Sequence, residues 1–213
     1  MDTLEVMPVR TRLTAILRKA IYSGEYRGGD ELSLTEVAAR LGISRTPVRE
    51  AFQVLESEGL ISLRMNKGAI VNQIDRKFVR DIFETRALLE SEAAARAAER
   101  GMKTAGLLER LEAMQADFDR LNREDYIRLN QEIHAAIWEA ADNHQMRKYL
   151  LEMWNGPSTG RGENAAMTHY RSSTREHIAI LQAIRDGRAE DARAAMKEHI
   201  SRSMENILRD YPD

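Results

Sequence analysis

With 213 residues, 43% apolar, the chain can fill one large core or two small ones, and its formal net charge of −2 is not that of a protein that coats nucleic acid indiscriminately. It has no cysteine, which excludes disulfides, thiolate metal sites and cysteine nucleophiles, so any metal must be held by His, carboxylate or amide groups. No apolar run approaches the ~20 residues that span a bilayer, and Met1 to Arg10 lack the apolar stretch of a secretory signal, so a cytoplasmic protein with no membrane partner is expected.

Residues 1–73 carry 10 Lys and Arg against 9 Asp and Glu, and the remainder 22 against 25, so charge location decides little by itself. Glycine and proline cluster early, at Gly24 to Gly29, Gly42, Pro47, Gly59 and Gly68, whereas residues 75–153 hold only Gly101 and Gly106 and no proline. That shift predicts two domains, 1–74 and 75–213. The first has three short helical patterns, then two β-prone stretches, Ile61–Leu63 and Ala69–Val71, joined by the turn Arg64-Met65-Asn66-Lys67-Gly68. From Asp75 onward the apolar spacing is helical, with breaks near Gly101, Asn122 and Asn143, across Asn155 to Glu163, and at Gly187, which predicts about six helices in one bundle. The fold class expected is mainly α, a winged helix-turn-helix followed by an all-helical domain.

The stretch from Leu34 to Phe52 reads as helix, tight turn, helix. Gly42 can take the left-handed conformation that ends the first helix, Ser44 can cap the second, and Pro47 is tolerated in its first turn. Val48, Ala51, Phe52 and Leu55 follow i, i+3, i+4, i+7 spacing and face the core, which sends Arg45, Thr46, Arg49 and Gln53 outward. Two arginines one turn apart can bind guanine edges or clamp phosphates, and Ser44 and Thr46 suit phosphate contacts. Lys67 and Gly68 at the wing tip can approach the backbone or the minor groove. The plainer alternative is a solvated helix face.

The run Leu41-Gly42-Ile43-Ser44-Arg45-Thr46-Pro47-Val48-Arg49-Glu50-Ala51, with Leu55, Glu58-Gly59-Leu60 and Asn66-Lys67-Gly68-Ala69, resembles the N-terminal domain of GntR-family regulators. The resemblance implies recognition of double-stranded operator DNA by Arg45 and Arg49, helped by Thr35 and by the wing at Lys67 and Gly68. Leu34 and Thr35 depart from residues common in that family, which bears on the operator sequence and not on the binding mode.

All five histidines lie in the second domain. His134 shares a helical face with Asn130, Ile133, Ile137 and Trp138; His177 lies with Ile180, Leu181 and Ile184; His199 lies with Met196, Ile200 and Ser203. Singly, each reads as a satisfied core residue. Converging from three helices, with the Asn130 amide one turn before His134, they can hold a divalent ion and leave positions open. His144 and His169 read as surface or loop residues.

Asn130 to His134, Glu176-His177-Ile178 with Ala183-Ile184, Ala192 to His199, and Glu84-Thr85-Arg86 with Glu90 resemble the FadR-type C-terminal (FCD) effector domain. The resemblance implies a transition metal (Zn, Ni, Mn or a similar ion) held by positions 130, 134, 177 and 199, and a small organic-acid effector, a carboxylate or sugar acid, completing the coordination shell. Asn130 replaces the usual aspartate, so the ion's charge is left uncompensated and an anionic effector is favoured. Arg86 is either a clamp for that anion or a surface partner of Glu90.

The expected whole is a homodimeric regulator, a repressor more often than an activator, because one reading head spans few base pairs while two about 34 Å apart match successive major grooves. Two alternatives are a metal-dependent enzyme with Glu132 or Glu176 as base, and a structural interaction module without metal.

Overall fold

The computed structural model describes residues 9–22, 24–65, 67–118, 121–154 and 163–209, with side chains from 167 in the last stretch; Asn66 of the wing turn and residues 155–162 of the fourth expected break lie outside these. The chain divides into two compact units, Met1–Asp75 and Arg76–Asp213, and it is mainly α.

In the first unit, α1 (Val9–Tyr22) buries Leu13, Leu17, Ala20 and Ile21. Helix α2 (Leu34–Leu41) starts at Ser33, whose hydroxyl accepts the Glu36 N–H, and ends at Gly42 with φ 64° and ψ 33°. Helix α3 (Arg45–Ser57) presents Val48, Ala51, Phe52 and Leu55 to the core, each at 0% exposure, as its spacing requires. Ser44 has the extended backbone of a cap, but its side chain makes no capping hydrogen bond, so the expected hydroxyl cap is not formed. Arg18 of α1 donates from Nε (2.8 Å) and Nη2 (2.5 Å) to the Glu58 carboxylate, tying α1 to the C-terminal end of α3.

The sheet is three-stranded and antiparallel in the order β1-β3-β2, with β1 at Glu31–Leu32, β2 at Ile61–Arg64 and β3 at Gly68–Val71; the wing register pairs Ile61 with Val71 and Arg64 with Gly68. Strand β1 was not legible in the sequence because two residues are too few for alternation to show. It explains Gly68: the residue is buried at φ 96°, and a Cβ there would lie 2.1 Å from the Leu32 carbonyl oxygen. Close approach at position 68 is therefore first an internal matter of sheet packing.

The second unit contains α4 (Arg76–Glu99), α5 (Ala105–Ala116), α6 (Arg123–Ala140), α7 (His144–Trp154), α8 (Glu163–Arg185) and α9 (Ala189–Leu208). Helix α4 is central and packs on α6, α7, α8 and, most extensively, α9. Its second half buries Ala93, Ala94, Ala95, Ala97 and Ala98 and leaves only a narrow polar stripe, with Glu92 bound to Arg96 at 2.7 Å and Glu99 exposed one turn on, as a helix enclosed on most sides requires. Gly101 (φ 67°) and Gly187 (φ 68°) follow the ends of α4 and α8, and the Asn122 side chain accepts the Glu124 N–H (2.9 Å) to start α6. No helix among the described residues is long and apolar enough to cross a membrane.

Replacing Gly68 by Ala combines a left-handed backbone with a clash against main chain, so Gly68→Ala is expected to destabilise the first unit by about 2 kcal/mol or more. A thermal melt matching the parent's would show that β1 can retreat from β3 at no cost.

Candidate functional site

Arg45, Thr46 and Arg49 project from the exposed side of α3, and Thr35, Ser44 and Lys67 are exposed as well. Arg18 is paired with Glu58, Arg40 with Glu25 and Arg64 with Glu31, while Arg45, Arg49 and Lys67 have no acidic partner among the described residues. A guanidinium held by a carboxylate has little left to offer a phosphate, so Arg45, Arg49 and Lys67 keep their charge for an anion, as do the exposed Arg10, Arg12, Lys19 and Arg27 away from α3 and the wing. Gly68 is buried and offers backbone only.

In the second unit three helices bring His134 (α6), His177 (α8) and His199 (α9) together at 1, 0 and 3% exposure, with ligand nitrogens all within 4.8 Å of one another. His134 Nε2 and His177 Nε2 are 3.2 Å apart. Two nitrogens bound to one ion at 2.0–2.1 Å stand about 3.0–3.4 Å apart, so the rings fit a shared cation. Around them, His134 Nδ1 contacts Glu90 Oε2, and His199 Nδ1 lies 2.7 Å from Glu176 Oε2. An Nδ1–H donated to carboxylate leaves the lone pair on Nε2, the form a metal needs. His177 Nδ1 is buried with no partner among the described residues. Asn130, one turn before His134, is half-buried, and no hydrogen bond ties it to the rings among the described residues.

Glu90 is wholly buried. Its Oε1 accepts from Arg86 Nε (3.0 Å) and Nη2 (2.7 Å), and its Oε2 accepts from Trp138 Nε1 (3.2 Å) as well as facing His134. Burial alone would raise its pKa, but the charges and hydrogen bonds of His134 and Arg86 outweigh that and hold it well below the usual carboxylate range. Arg86 is therefore the i+4 partner of Glu90, though not on the surface: it is 8% exposed, its guanidinium 4.9 Å from the Phe83 ring centroid and 5.0 Å from that of Trp154. Glu176 is arranged alike. Arg202 donates to both its oxygens, with Nη2 at 2.7 Å, and Nη1 donates to His169 Nδ1 at 3.1 Å. Burial would raise the Glu176 pKa, and the hydrogen bonds from His199 and Arg202 bring it below normal.

His169, expected at the surface, is buried on α8. Burial, then the Arg202 charge, pushes its pKa down to about 4. His177 is depressed well below its ordinary value by burial and by its neighbouring imidazoles, and burial depresses His199 despite Glu176. His144 is exposed at the start of α7, as expected.

Residues 10–71 match the family described as bacterial regulatory proteins, gntR family, and residues 81–202 match the FCD domain. The chain belongs to the GntR family of transcriptional regulators, with an FCD domain. It is 28% identical over 207 residues to the HTH-type transcriptional repressor RspR of Escherichia coli K12, covering 94% of this chain and 89% of that one. It is 25% identical over 187 residues to the Nta operon transcriptional regulator of Aminobacter aminovorans, covering 87% and 88%. The fold matches E. coli McbR/YncC with a TM-score of 0.69 at 22% identity, over 96% of this chain and 99% of that one. It also matches the metal-free FCD domain of the regulator TM0439 with a TM-score of 0.53 at 19% identity, over 65% and 97%. These families are regulators and not enzymes. Glu132, weighed as a catalytic base, is exposed and bound to Arg110 at 2.6 Å.

Two measurements follow for this regulator. Its only tryptophans, Trp138 and Trp154, have ring centroids 6.1 and 4.8 Å from that of His134. Titrating metal-free protein with Ni(II) or Co(II) is expected to quench more than half of the intrinsic fluorescence, Zn(II) much less, and His134→Ala with His199→Ala to abolish the response. For pH, a folded-state pKa below the unfolded one means that the unfolded chain binds more protons as acid is added. Since His169 falls to about 4, its share of the metal-free protein's stability is complete above about pH 6.5 and is lost as pH drops through 4, with His177 and His199 acting in the same direction. His169→Asn is expected to flatten the stability profile over that window; an unchanged slope would remove His169 as a contributor.

Proposed function

We propose that the regulator binds operator DNA as a homodimer through Arg45 and Arg49 of α3, assisted by Thr35, Ser44, Thr46 and the wing at Lys67 and Gly68, and that a small carboxylate bound at the His134–His177–His199 centre controls that binding. The observation that carries the reading is the convergence of three buried imidazoles, ligand nitrogens within 4.8 Å, in a chain whose other unit keeps an unspent pair of arginines. A divalent ion such as Zn, Ni or Mn fits the donor set, with Asn130 as the fourth, neutral ligand. When bound, the ion supplies a Lewis-acidic position for a carboxylate oxygen.

Charge favours an anion there. Glu90 is neutralised by Arg86 and Glu176 by Arg202, so the imidazoles and the amide bring no net negative charge to offset the cation. Arg86 acts in this scheme through Glu90 and His134: it keeps the carboxylate ionised, which holds the imidazole in the metal-binding tautomer. A carboxylate ligand changes DNA affinity only by favouring one arrangement of the two heads over another, and the proposed direction is release, as for a repressor.

The test starts with duplexes selected from a random pool by the purified protein. Arg45→Ala with Arg49→Ala is expected to weaken binding at matched salt by at least about 2 kcal/mol, since each bidentate contact is worth about 1–3 kcal/mol, and to lower the salt slope if phosphates are among the contacts. His134→Ala is expected to bind the same duplex but to ignore organic acids that release the parent. Equal binding by the arginine variant, or equal acid response by the histidine variant, would overturn the corresponding half of the proposal.

A further inference from the structure

Beyond the turn that joins them, the reading helix and the wing are tied by a side chain. Strand β2 lies at the edge of the sheet, so the N–H groups on its outer side have no strand to pair with. Glu56, in the last turn of α3, reaches across to it, and its Oε1 accepts the outer N–H of Leu63 at 2.9 Å. The base of the wing is pinned separately: Asn72 Nδ2 donates to the Gly59 carbonyl at 2.8 Å, and the Ser62 hydroxyl donates to Asn72 Oδ1 at 2.8 Å. Glu56 takes hold further out, one residue before β2 ends at Arg64.

Position 56 is an awkward place for a carboxylate. The last turn of a helix carries unpaired carbonyls whose partial negative charge disfavours an acid, and α3 has no basic residue there to offset it. Glu56 also follows Arg45, Arg49 and Gln53 on the same exposed stripe, so it brings negative charge to the face that meets a polyanion. By charge alone, then, Glu56 weakens DNA binding. What it adds is a charge-assisted hydrogen bond that sets the wing against the helix.

The wing has a charge to deliver. Lys67 is exposed at its tip, and the ribbon is steadied on the far side, where Gly68 of β3 packs against the Leu32 carbonyl of β1. Two groups that grip one duplex contribute fully only if their spacing is fixed beforehand, because ordering them on binding costs free energy.

We propose that Glu56 is a positioning residue for operator recognition: it locks the wing to α3, so that Lys67 and the two arginines engage one duplex together. The inference rests on the reading that α3 and Lys67 both contact DNA, and the experiment separates the two.

Full-length protein is titrated, over a series of salt concentrations, with the duplexes it selects from a random pool. In the parent, Lys67→Ala is expected to weaken binding about 3- to 10-fold and to reduce the salt slope by about one for each head. Glu56→Gln removes the charge but keeps an oxygen to accept the Leu63 N–H, and is expected to bind at least as tightly as the parent with the Lys67 contribution intact. Glu56→Ala removes the same charge together with the acceptor. It is expected to bind about 3- to 10-fold more weakly than Glu56→Gln, with Lys67→Ala then costing less than about 2-fold and Arg45→Ala costing what it does in the parent. Glu56→Ala as tight as Glu56→Gln, or a Lys67 contribution equal in the parent and in Glu56→Ala, would overturn the inference and leave the DNA reading in place. So would an Arg45 contribution that falls along with that of Lys67, the mark of a damaged fold and not of a displaced wing. Lys67→Ala binding like the parent removes the wing from the proposed reading, and this inference with it.

Discussion

A charge taken out of water must meet its opposite, and that requirement organises the helical unit. Glu90 and Arg86 are both buried on the central helix α4, four residues apart, and their mutual neutralisation makes an ionised carboxylate tolerable beside His134. Glu176 and Arg202 repeat the arrangement on α8 and α9 at a half-buried position beside His199. Each carboxylate thus orients an imidazole while its arginine cancels its charge, so the centre gains direction without gaining net negative charge. His177 has no such carboxylate, and its Nδ1 is without a partner among the described residues.

Packing around this centre follows from residue size. The alanines of α4 keep the central helix narrow where α9 lies along it, and the large rings gather elsewhere: Trp138 and Trp154 against His134, and Tyr126, Tyr170 and Phe118 in a cluster of their own. Small side chains allow close helix approach, while aromatic ones supply rigid walls, and the polar edge of Trp138 is used to bond Glu90 at 3.2 Å.

Much of this was readable from spacing. The inward set Val48, Ala51, Phe52 and Leu55 determined which side of α3 carries Arg45 and Arg49, and the apolar neighbours of His134, His177 and His199 placed all three rings inside. Spacing on one helix says nothing about partners on another, which is why Glu90 was legible only as a neighbour of Arg86 and not as the group beside His134. Proximity to a loop suggests exposure for His169, whereas Arg202, 33 residues away, supplies the donor that makes its burial acceptable. The Ser44 hydroxyl and strand β1 illustrate a local limit: cap chemistry can be present without the cap bond, and a two-residue strand exists only through the partner it pairs with.

The pairing of Arg18, Arg40 and Arg64 with glutamates has a consequence for how the first unit searches a genome. Loose attachment to arbitrary duplex grows with the number of cations that displace counterions, and these three pairs take three of the ten Lys and Arg of residues 1–73 out of that number. Each carboxylate that holds an arginine in this way lowers the hold on irrelevant sequence by about one counterion's worth and leaves the charge carried on α3 untouched, which widens the margin between the true target and the bulk of the chromosome.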